Sequence, residues 1–384
     1  MVRLASWNVE WFYALFDDSG RMLDDGELSA RYKVTRADQL AAIAIVMTAL
    51  DADGIMITEA PDTNHKRSTV TALEGFSARF GLRCRKAMIG FVSDTEQEIA
   101  FLYDPDRLVV AHDPGGVQST TKGAAGAPRF DTVLRADLDG DGVDDPVRFS
   151  KPPLELQVTA DDHVLRLIGV HAKSKGPHGQ VSLTEFRRIS IQNRRKQLAE
   201  CLWLRARVNE HLAAGNSLLV MGDFNDGPGL DEYEKLFGRS GVEVVLGLDL
   251  PANQRLYDPH ADMALSQRMG LSPTSARFWL QPMKRYFEAM LDFIMVSPDL
   301  ARLHPKWRIW HPLNDPAAAA VPDLREALLT ASDHFPVTID LDLELDLDLD
   351  KLAAATLSPL APSPKPQISP PEASEVSGKA AQPT

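Results

Sequence analysis

Ser217-Leu218-Leu219-Val220-Met221-Gly222-Asp223-Phe224-Asn225 is an apolar run that stops at a carboxylate and an amide. A short unbroken apolar segment of this kind reads as a strand buried on both faces. Packing gives no reason for Asp223 or Asn225 at its end. A turn or helix cap explains such residues singly, and 223–229 alone is a good turn sequence. The same ending recurs along the chain, however. The run 4–6 meets Asn8 and Glu10, 54–58 ends in Glu59, and 167–170 ends in His171. Asp292 lies inside the apolar run 291–296, and Ser332-Asp333-His334 precedes the last apolar run. A lone carboxylate in a strand core costs several kcal/mol unless it is paired or metal-bound, so Asp292 requires a partner. Carboxylates, histidines and an asparagine gathered at strand ends suit a hard, oxygen-ligated cation with acid/base partners, and Mg2+ or Mn2+ is expected. No Cys cluster or HExxH motif points to a closed zinc site.

Strand-like runs are predicted at 4–11, 54–58, 99–103, 154–159, 164–170, 217–221, 291–296 and 337–341. Helical periodicity is clearest at 36–50 and 184–214. In the second helix Phe186, Ile189, Leu198, Leu202 and Leu212 are spaced for one buried stripe, with Arg187, Arg188, Arg194, Arg195 and Lys196 on a solvated face. Strands and helices recur in both halves with no linker-like segment before residue 340, which favours one layered α/β (α+β) sandwich over two domains. Segment 338–350 alternates Ile or Leu with acids at strand period, and its first half is expected to hold while the rest frays. Residues 351–384 contain seven Pro, seven Ala and five Ser and no aromatic residue. That composition cannot offset ordering entropy, so a disordered tail is predicted over 344–384, after a catalytic domain spanning 1–343.

The net charge of −13 over 384 residues argues at first sight against a polyanionic partner. Its distribution weakens that objection. Segments 340–384 and 137–145 carry a net −5 each, leaving −3 over the remainder. The longest apolar stretch, 41–50, falls far short of the ~18 residues of a membrane span. Met1-Val2-Arg3 leads straight into a strand pattern with no room for a signal peptide, and the two cysteines cannot build a disulfide framework. A cytoplasmic protein with no membrane and no obvious protein partner is expected.

Ala5-Ser6-Trp7-Asn8-Val9-Glu10, Ile57-Thr58-Glu59, 99–106, 169–175, Met221-Gly222-Asp223-Phe224-Asn225, Leu291-Asp292-Phe293-Ile294 and Ser332-Asp333-His334-Phe335-Pro336 resemble, in order and wording, the endonuclease/exonuclease/phosphatase superfamily of deoxyribonuclease I. The resemblance spans about residues 3–343 and implies a four-layer α-β-β-α sandwich with the site at one edge. By motif position it implies that Glu59 and Asp333 bind the divalent cation, with Asn8 bonded to the Glu59 carboxylate or to the phosphate. It makes Asp223 the group that orients or deprotonates water and Asn225 a holder of a phosphate oxygen. Asp292 would accept a hydrogen bond from His334 and keep it cationic. His171 corresponds to a position near the leaving group, oriented by an acid of Glu96-Gln97-Glu98.

Lys173 and Lys175, just after His171, and Arg277 with Trp279 interleave cations and aromatics in a way that tracks a backbone and stacks bases. Asp137, Asp139, Asp141 and Asp145 are spaced as a calcium loop; with Arg148 at the twelfth position it is not an EF-hand, and a Gly-rich hairpin turn is the competing reading. The function expected is a divalent-metal-dependent phosphoesterase, a nuclease on DNA or RNA. The alternative is a phosphatase or phosphodiesterase for a small metabolite or lipid head group. The rival from another class is a non-catalytic binding module.

Overall fold

The apolar runs pair into two mixed sheets. The first has six strands in the order β14 (Lys306–Ile309), β15 (Val337–Leu341), β1 (Val2–Asn8), β2 (Gly54–Pro61), β4 (Gln97–Tyr103) and β3 (Lys86–Ile89). The second has five, in the order β13 (Asp292–Val296), β10 (Leu218–Asp223), β9 (His163–His171), β8 (Leu154–Ala160) and β5 (Leu108–His112). Hairpins β6 (Leu134–Ala136) with β7 (Asp145–Val147) and β11 (Ala276–Leu280) with β12 (Arg285–Ala289) stand outside them. The structure, a computed structural model, describes residues 1–118, 126–137, 142–176, 183–227, 238–266, 272–280 and 284–344.

The sheets face each other closely enough that a Cβ on Gly169 of β9 would lie 2.4 Å from Met56 Sδ of β2. Helices α1 (Arg36–Leu50) and α2 (Thr69–Phe80) and the helix Pro322–Ala331 cover the outside of the first sheet, through Trp7, Ile43, Phe76 and Leu328. Helix α3 (Leu183–Ala213) covers the second, where Trp203, Leu204 and Val208 meet Ile168, Val220 and Phe293. This is the four-layer sandwich expected from the sequence, and Met1–Glu344 form one compact unit. No described helix is long and apolar enough to cross a membrane.

Two expectations change. The strand predicted over 4–11 ends at Asn8, because Trp11 turns into a left-handed conformation (φ 59°) that opens a 3-10 turn at Phe12–Leu15. In α3 the predicted apolar stripe is buried only in part, with Leu198 and Leu212 packed against the core. Phe186 and Leu202 are exposed, whereas Arg194, Gln197, Glu200 and Arg207 are buried beside Trp203. The helix covers loop ends as well as the sheet, and its buried charges have partners: Arg194 donates to Arg239 O (3.0 Å), and Arg207 pairs with Glu155 (3.0 Å). Paired burial of this kind is tolerated where an unpaired charge would not be.

The strands β6 and β7 that flank the acidic run pair as a hairpin, Ala136 opposite Asp145. Asp137 Oδ2 accepts from Gly142 N at 2.9 Å, while Asp139 and Asp141 lie outside the described residues, as does the tail from 345 onward.

Register then sets the site. In β10, Asp223 has His171 of parallel β9 on one side and Asp292 of antiparallel β13 on the other. The β2–β4 ladder slips between Ile57 and Ala60, where Glu59 takes φ 62° and leaves the ladder. Gly222 permits the last step of β10. Its φ is 147°, and a Cβ there would sit 1.9 Å from Val170 O. Gly222→Ala should therefore lower unfolding stability by at least about 2 kcal/mol, read from the urea midpoint. A loss below about 0.5 kcal/mol, within the range of neutral surface changes, would contradict this account.

Candidate active site

At one edge of the sandwich the strand ends enclose a cleft of about 570 Å³, lined by Asn8, Glu10, Glu59, Lys151, His171, Lys173, Glu200, Asp223, Asn225, Asp333 and His334, among others. Asp223 lies at its floor. Its Oδ1 accepts from Asn225 N at 2.7 Å, and its Oδ2 accepts from Asn8 Nδ2 at 3.0 Å and Asn225 Nδ2 at 3.1 Å. Asn225, at φ 48°, also donates to Ala172 O (3.1 Å), so the turn after β10 folds back on β9. Asn8 thus holds Asp223 and not Glu59, the carboxylate named beside the phosphate as its expected partner, because β1 ends against β10 across the sandwich. Glu59 Oε2 instead accepts from Trp11 N (3.0 Å).

The partner that a buried Asp292 requires is His334, whose Nδ1–H donates to Asp292 Oδ2 at 2.8 Å. Ser275 completes the arrangement. Its hydroxyl donates to Asp292 Oδ2 (2.7 Å) and accepts from Leu291 N and Asp292 N (3.0 and 2.9 Å). Asp333 Oδ1 lies 3.9 Å from His334 Nε2, and Arg277 N donates to Asp333 O at 2.7 Å, docking hairpin β11–β12 beside the site.

Other candidates sit differently from their sequence-based placement. No acid of Glu96-Gln97-Glu98 orients His171: Glu98 accepts from Ser93 N (3.0 Å), and His171 Nδ1 has no hydrogen-bond partner among the described residues. Lys175 donates to Asp226 Oδ1 (2.7 Å) and does not line the cleft, whereas Lys173 does. Arg277 pairs with Glu288 (3.2 Å) and stacks over Tyr286, with the half-exposed Trp279 at the edge of the same ring. Lys151, Glu200 and Ser275 escaped the sequence reading. Lys151 Nζ lies 3.4 Å from His171 Nε2. Its only sequence signal is a cation before the run 154–159, which is too common to single out.

The family model described as Endonuclease/Exonuclease/phosphatase family matches residues 5–334. The chain belongs to the endonuclease/exonuclease/phosphatase family. Its described fold is also similar to solved structures of an AP endonuclease from Archaeoglobus fulgidus (12% identity, TM-score 0.46, covering 89% of this chain and 100% of that one) and a mannosyl-6-phosphatase from Bacteroides thetaiotaomicron (14%, 0.45, 89% and 100%). The catalytic domain of human Nocturnin is similar as well (13%, 0.44, 89% and 94%). No curated protein matches the sequence.

Electrostatics divide the two histidines of this family member. Burial works against a charged His334, but Asp292, Asp223 and Asp333 outweigh it and raise its pKa well above the ordinary 6.5. Burial, with Lys151 close by, holds His171 well below that value and therefore neutral. Burial also pushes Asp223 up to about 7, against the pull of His334. Ligand atoms of Asp223, Asp292 and His334 lie within 4.8 Å of one another, a grouping compatible with a metal ion. A cationic imidazole bonded to Asp292 is a poor donor to a metal, however, which favours the neighbouring oxygens for that task.

The same division predicts two signatures in 15N-imidazole NMR spectra. His334 should keep both ring protons above pH 6.5, while His171 stays singly protonated well below it. Asp292→Asn removes the largest stabilising charge and should lower the His334 pKa. A His334 that titrates at or below 6.5 in the wild-type protein would refute the assignment.

Proposed function

We propose that this chain is a divalent-metal-dependent nuclease that hydrolyses phosphodiester bonds of DNA or RNA by in-line attack of water. One observation carries the proposal: a carboxylate fixed by two amides, Asp223 between Asn8 and Asn225, shares one open cleft with the cationic His334 and the ammonium of Lys151. That set offers a proton acceptor for water and two positive charges for a phosphoryl group. The hairpin docked on Asp333 presents Trp279, Tyr286 and Arg277 next to the cleft, which favours a polynucleotide over a small ester.

The residues present suit Mg2+ or Mn2+. Asn8 Oδ1 is buried without a hydrogen-bond partner among the described residues, and the carboxylates of Glu59 and Asp333 line the same cleft. An oxygen-only donor set is what a hard divalent cation takes. When bound, the cation supplies Lewis-acid polarisation of the phosphoryl oxygens.

The side chains do the rest. Asp223 accepts the proton of the attacking water, and the two amides fix which lone pair faces it. His334, locked by Asp292 and Ser275, meets the negative charge that develops on the phosphoryl oxygens. Lys151 adds a second positive charge beside His171, whose neutral ring accepts from it through Nε2.

Plasmid, single-stranded DNA, RNA and a panel of phosphate monoesters, each incubated with Mg2+, Mn2+ or EDTA, test the proposal. Cleavage of a polynucleotide that EDTA abolishes is expected, and Glu59→Ala and His334→Ala should each lower it by about 10²-fold or more. Hydrolysis of monoesters alone would overturn the nuclease reading. Hydrolysis of nothing would overturn the enzyme reading.

A further inference from the structure

The wall of the cleft between β9 and α3 carries more positive charge than the scissile phosphate needs. Lys151 belongs with His171. Lys175 is tied to Asp226, and Arg194 is buried against the same carboxylate (3.4 Å). Lys173, which lines the cleft, is not used up in this way, and Lys196 reaches the cleft wall through Ser150. Lys173 is held through its backbone, whose N–H donates to Glu200 Oε2 at 2.8 Å, while its ammonium has no ion pair among the described residues. Lys196 Nζ donates to Ser150 Oγ at 2.8 Å and lies only 3.9 Å from Glu200 Oε1. The single carboxylate of Glu200, itself buried, thus faces the ammonium of Lys196 and the backbone N–H of Lys173, and leaves the Lys173 ammonium uncompensated among the described residues. The surplus is felt locally: burial first, and then Lys196, lower the Lys173 pKa.

We propose that Lys173 and Lys196, with the hydroxyls of Ser150 and Ser174, form a second anion subsite for the phosphate neighbouring the scissile one on the same substrate. This rests on the phosphodiesterase reading of the cleft and adds to it. Ser150 and Ser174 line the cleft beside Lys151 and Lys173. Ser150 and Lys151 are consecutive, so the two anion positions lie one residue apart along a single trans-linked segment. Neighbouring phosphates of one chain match that proximity better than two independent ligands do. A net positive surplus on partly desolvated ammonium groups also favours an anion there over water.

The test uses dinucleotides with one internal phosphodiester and either no terminal phosphate, a 5′-phosphate or a 3′-phosphate. One of the phosphorylated forms should be cleaved with kcat/KM about tenfold or more above the unphosphorylated form, chiefly through KM. In a Lys173→Ala, Lys196→Ala double variant that ratio should fall toward one, and Lys173→Arg should keep most of it. Equal kcat/KM for all three dinucleotides in the wild-type enzyme, while polynucleotides are still cut, would overturn the subsite and leave the nuclease reading standing. A ratio unchanged in the double variant would overturn its assignment to these lysines. Hydrolysis of no dinucleotide or polynucleotide would overturn the phosphodiesterase reading and the subsite with it.

Discussion

Asp223 and Asp292 are directly opposed on neighbouring antiparallel strands, and both are buried. Two carboxylates so placed repel each other, and each carries a desolvation cost of several kcal/mol. The arrangement holds because a third group, His334, delivers a positive charge between them from a distant part of the chain. The imidazolium is bound to Asp292 and acts at short range on Asp223. Without it, two buried carboxylates would face each other with no opposing charge between them. The charge balance of this pair of strands is therefore the condition on which the site depends.

The surrounding fold serves that condition by converging strand ends from both sheets. β1 brings Asn8, the irregularity in β2 frees Glu59, and β9 and β10 place His171 beside Asp223. The outer helix α3 stabilises the same edge with polar groups. Gln197 Nε2 donates to Phe224 O and Asn225 O (3.1 and 3.0 Å), which supports the left-handed turn at Asn225 from outside. Glu200 grips the backbone of Lys173 in the same way. A helix with this task cannot show a simple apolar stripe, which is why periodicity read only part of its buried face.

Much of the fold was legible because buried strands write themselves as apolar runs. Segments 154–159, 164–170 and 337–341 are strands within a residue or so of their expected bounds, and 36–50 is a helix capped by Thr35. The demand for a partner at Asp292 followed from the cost of burying a lone acid, and Ser332-Asp333-His334 was a visible source. Ser275, Lys151 and Glu200 were not legible. Serine, lysine and glutamate are ordinary on surfaces and in helices, and only the packing of their neighbours puts Lys151 and Glu200 in the cleft wall and Ser275 behind Asp292.

The amino-acid sequence by itself determined the layered α/β architecture, the strand ends that carry chemistry and the residue types gathered there, because apolar periodicity and the cost of buried charge are local properties. The tertiary structure alone decided who meets whom. Asn8 holds Asp223 and not Glu59, His171 is neutral beside Lys151, Arg194 is buried, and Lys173 stands apart from Lys175. Those outcomes depend on contacts between segments tens to hundreds of residues apart, where strand register and desolvation set each group's charge and partner, and no local pattern records either.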